Sequence, residues 1–156
     1  MIVETPRGSH NKFNWEPELE LFKLKRCLPA GTAFPLDFGF IPGTMAEDGD
    51  PTDVLLLSEW PTYPGCLVEC RLIGILKGEQ KDPGMDKFVR NDRLLAVPKM
   101  TRDFRHVETI ADFGEERLSD IFHFFQYYHG LDGGEYKKAG TGDAAEALRT
   151  LKTTIQ

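Results

Sequence analysis

The stretch Asp48-Gly49-Asp50-Pro51-Thr52-Asp53 constrains this chain more than any other. It places three carboxylates in six residues, directly before the apolar run Val54-Leu55-Leu56-Leu57. On a helix, Asp48 and Asp50 would point roughly 200° apart. In an extended segment they share one side. Gly49 permits unusual backbone angles, and Pro51 fixes its own φ and bends the chain away from regular pairing. Asp53 then stands at the mouth of a strand over Val54–Leu57. Like charges brought together repel unless a cation or a proton intervenes. Two readings follow: a solvated Asp/Gly turn, or a hard-metal site for Mg²⁺ or Ca²⁺. The spacing is not that of an EF-hand, whose sixth position needs Gly where this chain has Asp53.

The chain has 156 residues, 40% hydrophobic and 28% charged, with a net charge of −6. That is the composition of an ordinary globular domain, and residues 1–156 are read as one. The acidic balance argues against a general nucleic-acid surface, which needs a basic stripe. It leaves room for a small anionic substrate, because local cations or metal ions override the global sign. No window of 18 apolar residues is present, so no membrane span is expected. The N-terminal residues lack a basic region followed by a long apolar one, and no secretory signal is expected. Cys27, Cys66 and Cys70 are odd in number and form no CxxC pair. In an extended stretch Cys66 and Cys70 lie roughly 13 Å apart, too far for a bridge, so reduced thiols are expected.

Strands are expected over Ile2–Thr5, Lys12–Trp15, Leu19–Cys27, Val54–Leu57, Cys66–Lys77 and Arg93–Val97, with Glu16-Pro17-Glu18 as a turn. Phe34–Gly43 is aromatic and heavily punctuated, and reads as irregular backbone or an edge strand. Gly78–Asn91 reads as a long surface loop. Residues 115–156 read as helical. The stripe Leu118, Ile121, Phe122, Phe125 and Tyr128 predicts a helix over Glu116–His129, stopped by Gly130. Asp143 caps a last helix carrying Ala144, Ala147, Leu148, Leu151 and Ile155 on one face. Phe34, Phe38 and Phe40 read as core or cleft lining, and His123 as a packed structural histidine. Short strands followed by helices give an α+β class, a small β-barrel with helices outside. A rigid carboxylate cluster suits Mg²⁺ serving substrate phosphates, and phosphate chemistry needs cations. Lys12, Arg26, Lys77 and Arg93 lie on or beside expected strands, and Tyr128 can project a hydroxyl from the aromatic helix. No nucleophile elbow and no GxxxxGK loop is present.

In order along the chain, Val3-Glu4-Thr5-Pro6-Arg7-Gly8-Ser9, Lys12-Phe13, Leu21–Arg26, Phe38-Gly39-Phe40-Ile41-Pro42, Glu47–Leu55, Pro64–Val68, Ile73–Lys77, Leu95–Pro98 and His123-Phe124-Phe125 resemble family I soluble inorganic pyrophosphatases. The resemblance covers nearly the whole chain and is to a divergent, bacterial-type member. Asn91-Asp92-Arg93 before Leu94–Pro98 is similar to a divergent bacterial branch. The resemblance implies a five-stranded OB-like β-barrel with two main helices packed outside. It implies Mg²⁺-dependent hydrolysis of pyrophosphate to two phosphates by a metal-activated water, a cytoplasmic location and a homohexamer.

Residue by residue, the resemblance makes Asp48 and Asp53 metal ligands and Asp50 the metal-site carboxylate that takes the water's proton. Glu4 matches an acidic residue holding a further metal through water. Lys12, Arg26, Arg93 and Tyr128 fall at phosphate-binding positions, Arg93 in place of Lys. The departures are Asn14 for Glu, Phe34 and Phe38 for Tyr, Gln80 and Asn91 for acidic ligands, and His129 for Lys. Glu79, Asp82, Asp86 or Asp92 are candidates to replace a missing ligand. Two alternatives follow: a non-hydrolytic phosphate-binding paralogue, and a hydrolase of another phosphoanhydride, with Phe34 and Phe38 giving a more apolar cleft wall.

Overall fold

A computed structural model describes all residues, 1–156. Its elements are β1 (Ile2–Thr5), β2 (Asn11–Glu16), β3 (Leu21–Cys27), β4 (Asp37–Phe40), β5 (Asp53–Leu56), β6 (Cys70–Lys81), β7 (Val89–Arg90), β8 (Arg93–Pro98), α1 (Ile110–Phe113), α2 (Glu115–Gly130), β9 (Glu135–Asp143) and α3 (Ala144–Thr154). Seven strands form one mixed sheet in the order β1-β4-β5-β8-β6-β7, with β9 on the other edge of β6, while β2 and β3 form a separate hairpin. Only β5 and β8 pair in parallel. The architecture is α+β and OB-like, but the expected five-stranded barrel needs correction. The strand path does not return to β1, so the sheet is open and larger.

The apolar run after Asp53 explains the layering. Leu55 and Leu57 face one core with Leu95, Val97, Phe122 and Phe125, while Val54 and Leu56 face another with Leu94, Ala96 and Ala147. A strand buried on both faces needs a continuous rather than an alternating apolar run. The helix α2 covers the first face with Ile121, Phe122 and Phe125, the stripe expected from spacing. The helix α3 covers the second with Ala147, capped by Asp143 accepting from the Glu146 amide. Leu148 is exposed, and Ile155 lies beyond the helix in an isolated bridge to Thr44, so the expected face of α3 is narrower.

Four other expectations change. The segment Phe34–Gly43 contains β4, an interior strand between β1 and β5, not an edge. Its buried Asp37 is tolerated because its carboxylate accepts from the Arg7 amide (2.7 Å), the Thr62 amide (3.1 Å) and the Thr62 hydroxyl (2.8 Å). The loop expected from Gly78 is a hairpin. The strand β6 continues to Lys81, and Glu79 and Gln80 pair with β7 on one side and β9 on the other. The strand β9 falls inside the region read as helical. Its eight pairings with β6 override the weak strand preference of Lys137, Lys138, Gly140 and Gly142. His123 is exposed, not packed. All three cysteines are free. No helix is long and apolar enough to cross a membrane.

Gly39 marks the tightest strand approach. It pairs with Val3, and a Cβ there would fall on the Ile2 carbonyl and lie 2.9 Å from Val3 Cα. Backbone on both sides leaves no flexible side chain to yield. Gly39→Ala is expected to destabilise by about 3 kcal/mol, lowering the melting temperature by roughly 6–12 °C in a thermal scan.

Candidate active site

A cleft of 570 Å³ opens where β1, the β2–β3 hairpin, β4 and the aspartate stretch meet. Glu4, Lys12, Asn14, Asp50, Asp53 and Asn91 line it, with Phe38 and Tyr128 among its apolar walls. The aspartate stretch is a turn over residues 47–50 rather than an extended segment, with Gly49 at φ 88°. Its closing bonds run from the Ala46 amide to Asp50 O (2.7 Å) and from the Gly49 amide to Ala46 O (3.1 Å). The turn separates the carboxylates. Asp48 accepts from the Asp50 amide (3.2 Å), Asp50 is exposed in the cleft, and Asp53 sits deeper at the start of β5. No three acidic, His or Cys side chains are gathered into a ready-made cage.

Asp53 is the electrostatic centre. Burial pushes its carboxyl up to about 7, against the pull of Arg93 and Lys12. Its Oδ2 lies 3.5 Å from Arg93 Nε. Arg93 is only 3% exposed and packs its guanidinium 3.9 Å from the Phe125 ring centroid and 5.2 Å from that of Tyr136. It stands behind the cleft wall, with its Nη1 donating to Asn91 O (3.3 Å). Lys12 is buried too. Its ammonium donates to Glu4 Oε2 (3.1 Å) and lies 4.0 Å from the Phe38 ring centroid. Burial lowers its pKa, with Glu4 and Asp53 opposing. Glu4 is occupied at both oxygens, since Oε1 accepts from the Trp15 amide (2.7 Å). It therefore anchors Lys12 and β2 at the cleft edge.

Arg26 is held at the rim by Asp132, by the Tyr128 carbonyl (3.1 Å) and by stacking on the Tyr128 ring (4.6 Å). Burial raises the Tyr128 hydroxyl above its ordinary value, so it stays a neutral donor at pH 7. Lys77 is drawn away to Glu146. The structure thus brings Glu4, Lys12, Asp50, Asp53 and Tyr128 into one cleft, leaves Asp48 hydrogen-bonded to Asp50 beside its lining, sets Arg93 behind Asp53 and keeps Arg26 at its edge. Tyr136 had no signal in sequence, because β9 itself was hidden among charged and glycine residues. Gln156 reaches the cleft from the far end of the chain, and no local pattern announces that.

Comparison with known proteins decides what this cleft belongs to. Residues 1–156 match the family whose description is inorganic pyrophosphatase. The inorganic pyrophosphatase of Thermus thermophilus is 38% identical over 99% of this chain and 87% of its own length. That of Sulfolobus acidocaldarius is 37% identical over 100% and 88%. The crystal structure of the Thermus thermophilus protein superposes with a TM-score of 0.90 over 99% of this chain and 87% of that one. A Coxiella burnetii inorganic pyrophosphatase gives 0.88 at 33% identity, covering 99% and 90%. This chain belongs to the inorganic pyrophosphatase family.

Within the inorganic pyrophosphatase pattern, the departures have structural consequences here. Asn91 Nδ2 donates to Gln80 Oε1 (2.8 Å), a neutral amide pair where two carboxylates would repel. Asp92, a candidate replacement ligand, is committed to Arg90 (2.5 Å) and to the Gly78 amide (3.1 Å). Phe34 and Phe38 pack in a tilted pair (5.9 Å, 58°), and Phe38 forms the face beneath Lys12. Asn14 Oδ1 is buried in the cleft wall without a hydrogen-bond donor. An orphaned acceptor, an exposed Asp50 and a carboxyl raised by burial make an oxygen-only donor set that fits a hard divalent cation such as Mg²⁺.

His129 is a measurable departure. Its ring stacks on Tyr136 (5.5 Å, 10°), and its Nε2 is buried without a partner. Burial first, then Arg93 and Arg26, lower its pKa to about 4. The folded protein therefore binds this proton less readily than the unfolded chain, where the value is about 6.5. The stability His129 contributes is full above pH 6.5 and is lost as pH falls toward 4, by about 2–3 kcal/mol. Denaturant unfolding at pH 7 and pH 4.5 will show His129→Gln losing less stability than the parent by about 2 kcal/mol.

Proposed function

We propose that this chain hydrolyses inorganic pyrophosphate to two phosphates with Mg²⁺ as its cofactor. The observation that carries the reading is the cleft in which Asp50 and Asp53 share space with Lys12 and Tyr128, in a chain of this family. Asp48, Asp50 and Asp53 would hold the cation, with Glu4 behind them. When bound, Mg²⁺ supplies positive charge to the phosphate oxygens and lowers the pKa of a water.

The chain's own residues do the rest. Asp50 takes the proton from the attacking water on its carboxylate. The water oxygen bonds to one phosphorus, and the bridging P–O bond breaks. The bridging oxygen leaves with the second phosphate. Lys12 and Tyr128 bind phosphate oxygens from the cleft wall. Arg26 adds charge at the rim, and Arg93 adds it from behind Asp53, whose ionised form it favours against the effect of burial. The planar Arg93 fork pairs with Asp53 and Asn91 O at once, which a lysine point charge would not do.

We read residues 1–156 as one domain that works in the cytoplasm as a homohexamer. Three free cysteines support a reducing compartment. Exposed Trp60, Tyr63, Leu67 and Met100 support self-association. The deciding experiment is phosphate release from a panel of inorganic pyrophosphate, nucleoside diphosphates and phosphomonoesters with Mg²⁺. Release from pyrophosphate above all others supports the reading, and preference for an organic phosphoanhydride overturns it.

A further inference from the structure

The end of α3 is tied to the aspartate stretch at several points. The Met45 amide donates to Thr154 O (2.7 Å), and the Gln156 amide to Gly43 O (3.0 Å). Ile155 bridges Thr44. Thr52, the residue between Pro51 and Asp53, is 3% exposed. Its amide donates to Thr44 Oγ1 (2.9 Å), its carbonyl accepts from the Ile41 amide (3.0 Å), and its hydroxyl donates to Thr154 Oγ1 (2.8 Å). Thr154 Oγ1 passes its own proton on to Leu151 O (2.9 Å). Each hydroxyl has one proton, so the relay runs one way and Thr154 must be the acceptor.

This relay matters because the stretch is filled only partly from that side. A second cavity of 420 Å³ lies behind it, between Glu47, Arg90, Asp92 and Thr150. Side chains alternate along extended backbone, so Thr52 turned toward α3 is what turns Asp53 toward the cleft. Loosening Thr52 lets its neighbours swing into the space behind. We propose that Thr154 is a positioning residue for Asp50 and Asp53, acting through the hydroxyl of Thr52. This deepens the pyrophosphatase reading and rests on it for its catalytic readout.

The test uses the full chain with Thr154→Val, Thr154→Ser, Thr52→Val and the double Thr52→Val/Thr154→Val. Calorimetry measures Mg²⁺ binding without substrate, and steady-state assays separate kcat from KM for pyrophosphate. Thr154→Val is expected to weaken Mg²⁺ binding and lower kcat by about 10- to 100-fold, with KM changed by about twofold or less, because Lys12 and Tyr128 lie outside the stretch. Thr154→Ser should match the parent. The double variant should lose no more than either single one, since both break one bond. Parental kcat and Mg²⁺ affinity in Thr154→Val, additive losses in the double, or a Thr154→Ser as impaired as Val would each overturn the proposal. If the parent itself releases no phosphate, the functional reading fails, while the Mg²⁺ isotherms still decide the positioning role.

Discussion

Asp50→Asn will cut pyrophosphate turnover by about 10²–10⁴-fold while leaving the fold intact. Asp50 is exposed in the cleft, and its structural bonds run through its backbone: the amide to Asp48 and the carbonyl from Ala46. The substitution keeps shape and removes the one group proposed to accept the water's proton. Pyrophosphate binding should persist, because Lys12 and Tyr128 remain. Calorimetry should therefore detect a complex that forms and does not turn over. The melting temperature should shift by no more than about 2 °C, as for a surface change within roughly 0.5 kcal/mol. A variant that kept parental turnover would remove Asp50 from the chemistry.

Arg93→Met is expected to act on stability as well as on rate. It strands Asp53, a carboxyl already pushed up to about 7 by burial. It also strips the cation from the Phe125 and Tyr136 faces. Removing one partner of a buried pair costs about 3–5 kcal/mol, a fall of roughly 6–20 °C in melting temperature. Losing a preorganised charge beside the reacting groups lowers kcat by about 10²–10³-fold. The double variant Asp53→Asn/Arg93→Met removes both charges and should recover much of the stability but none of the activity. Arg93→Lys keeps the charge and loses the fork, and should fall between. If the double variant were less stable than Arg93→Met alone, the buried pair would not be the source of the cost.

These two residues show what was legible in the chain. Asp50 and Asp53 could be read as chemistry from their density and from the apolar run beyond them, and both stand in the cleft. Their conformation could not. Gly49 at φ 88° turns the stretch, and the Asp48 carboxylate accepts from the Asp50 amide instead of standing free beside the other two. Val54–Leu57 could be read as a strand, and the aromatic stripe over Glu116–His129 as a helix. The strand β9 was hidden, because its stability comes from distant β6 and not from Lys137, Lys138 or Gly140. The interior strand β4 was hidden by Pro35, Asp37 and Gly39, which punctuate in isolation. Donors from Arg7, Ser58 and Thr62, all distant in sequence, satisfy the buried Asp37. The pairing of Glu4 with Lys12, of Arg26 with Asp132 and of Gln80 with Asn91 follows from tertiary placement alone.

The resemblance located the departures, and the structure gives them physical form. Gln80 and Asn91 replace charge repulsion with a neutral hydrogen bond. Phe38 turns a hydroxyl position into a cation–π floor for Lys12. His129 extends an aromatic stack rather than adding charge. The carboxylate load of the cleft is smaller as a result, while Asp50 and Asp53 remain.

The most direct measurement is phosphate release from pyrophosphate across a Mg²⁺ titration, run on the parent and on Asp50→Asn. The predicted result is Mg²⁺-dependent release by the parent that saturates with cation and is lost in the variant. Pyrophosphate binding without release by the parent at any Mg²⁺ concentration, or equal release from both proteins, would contradict it.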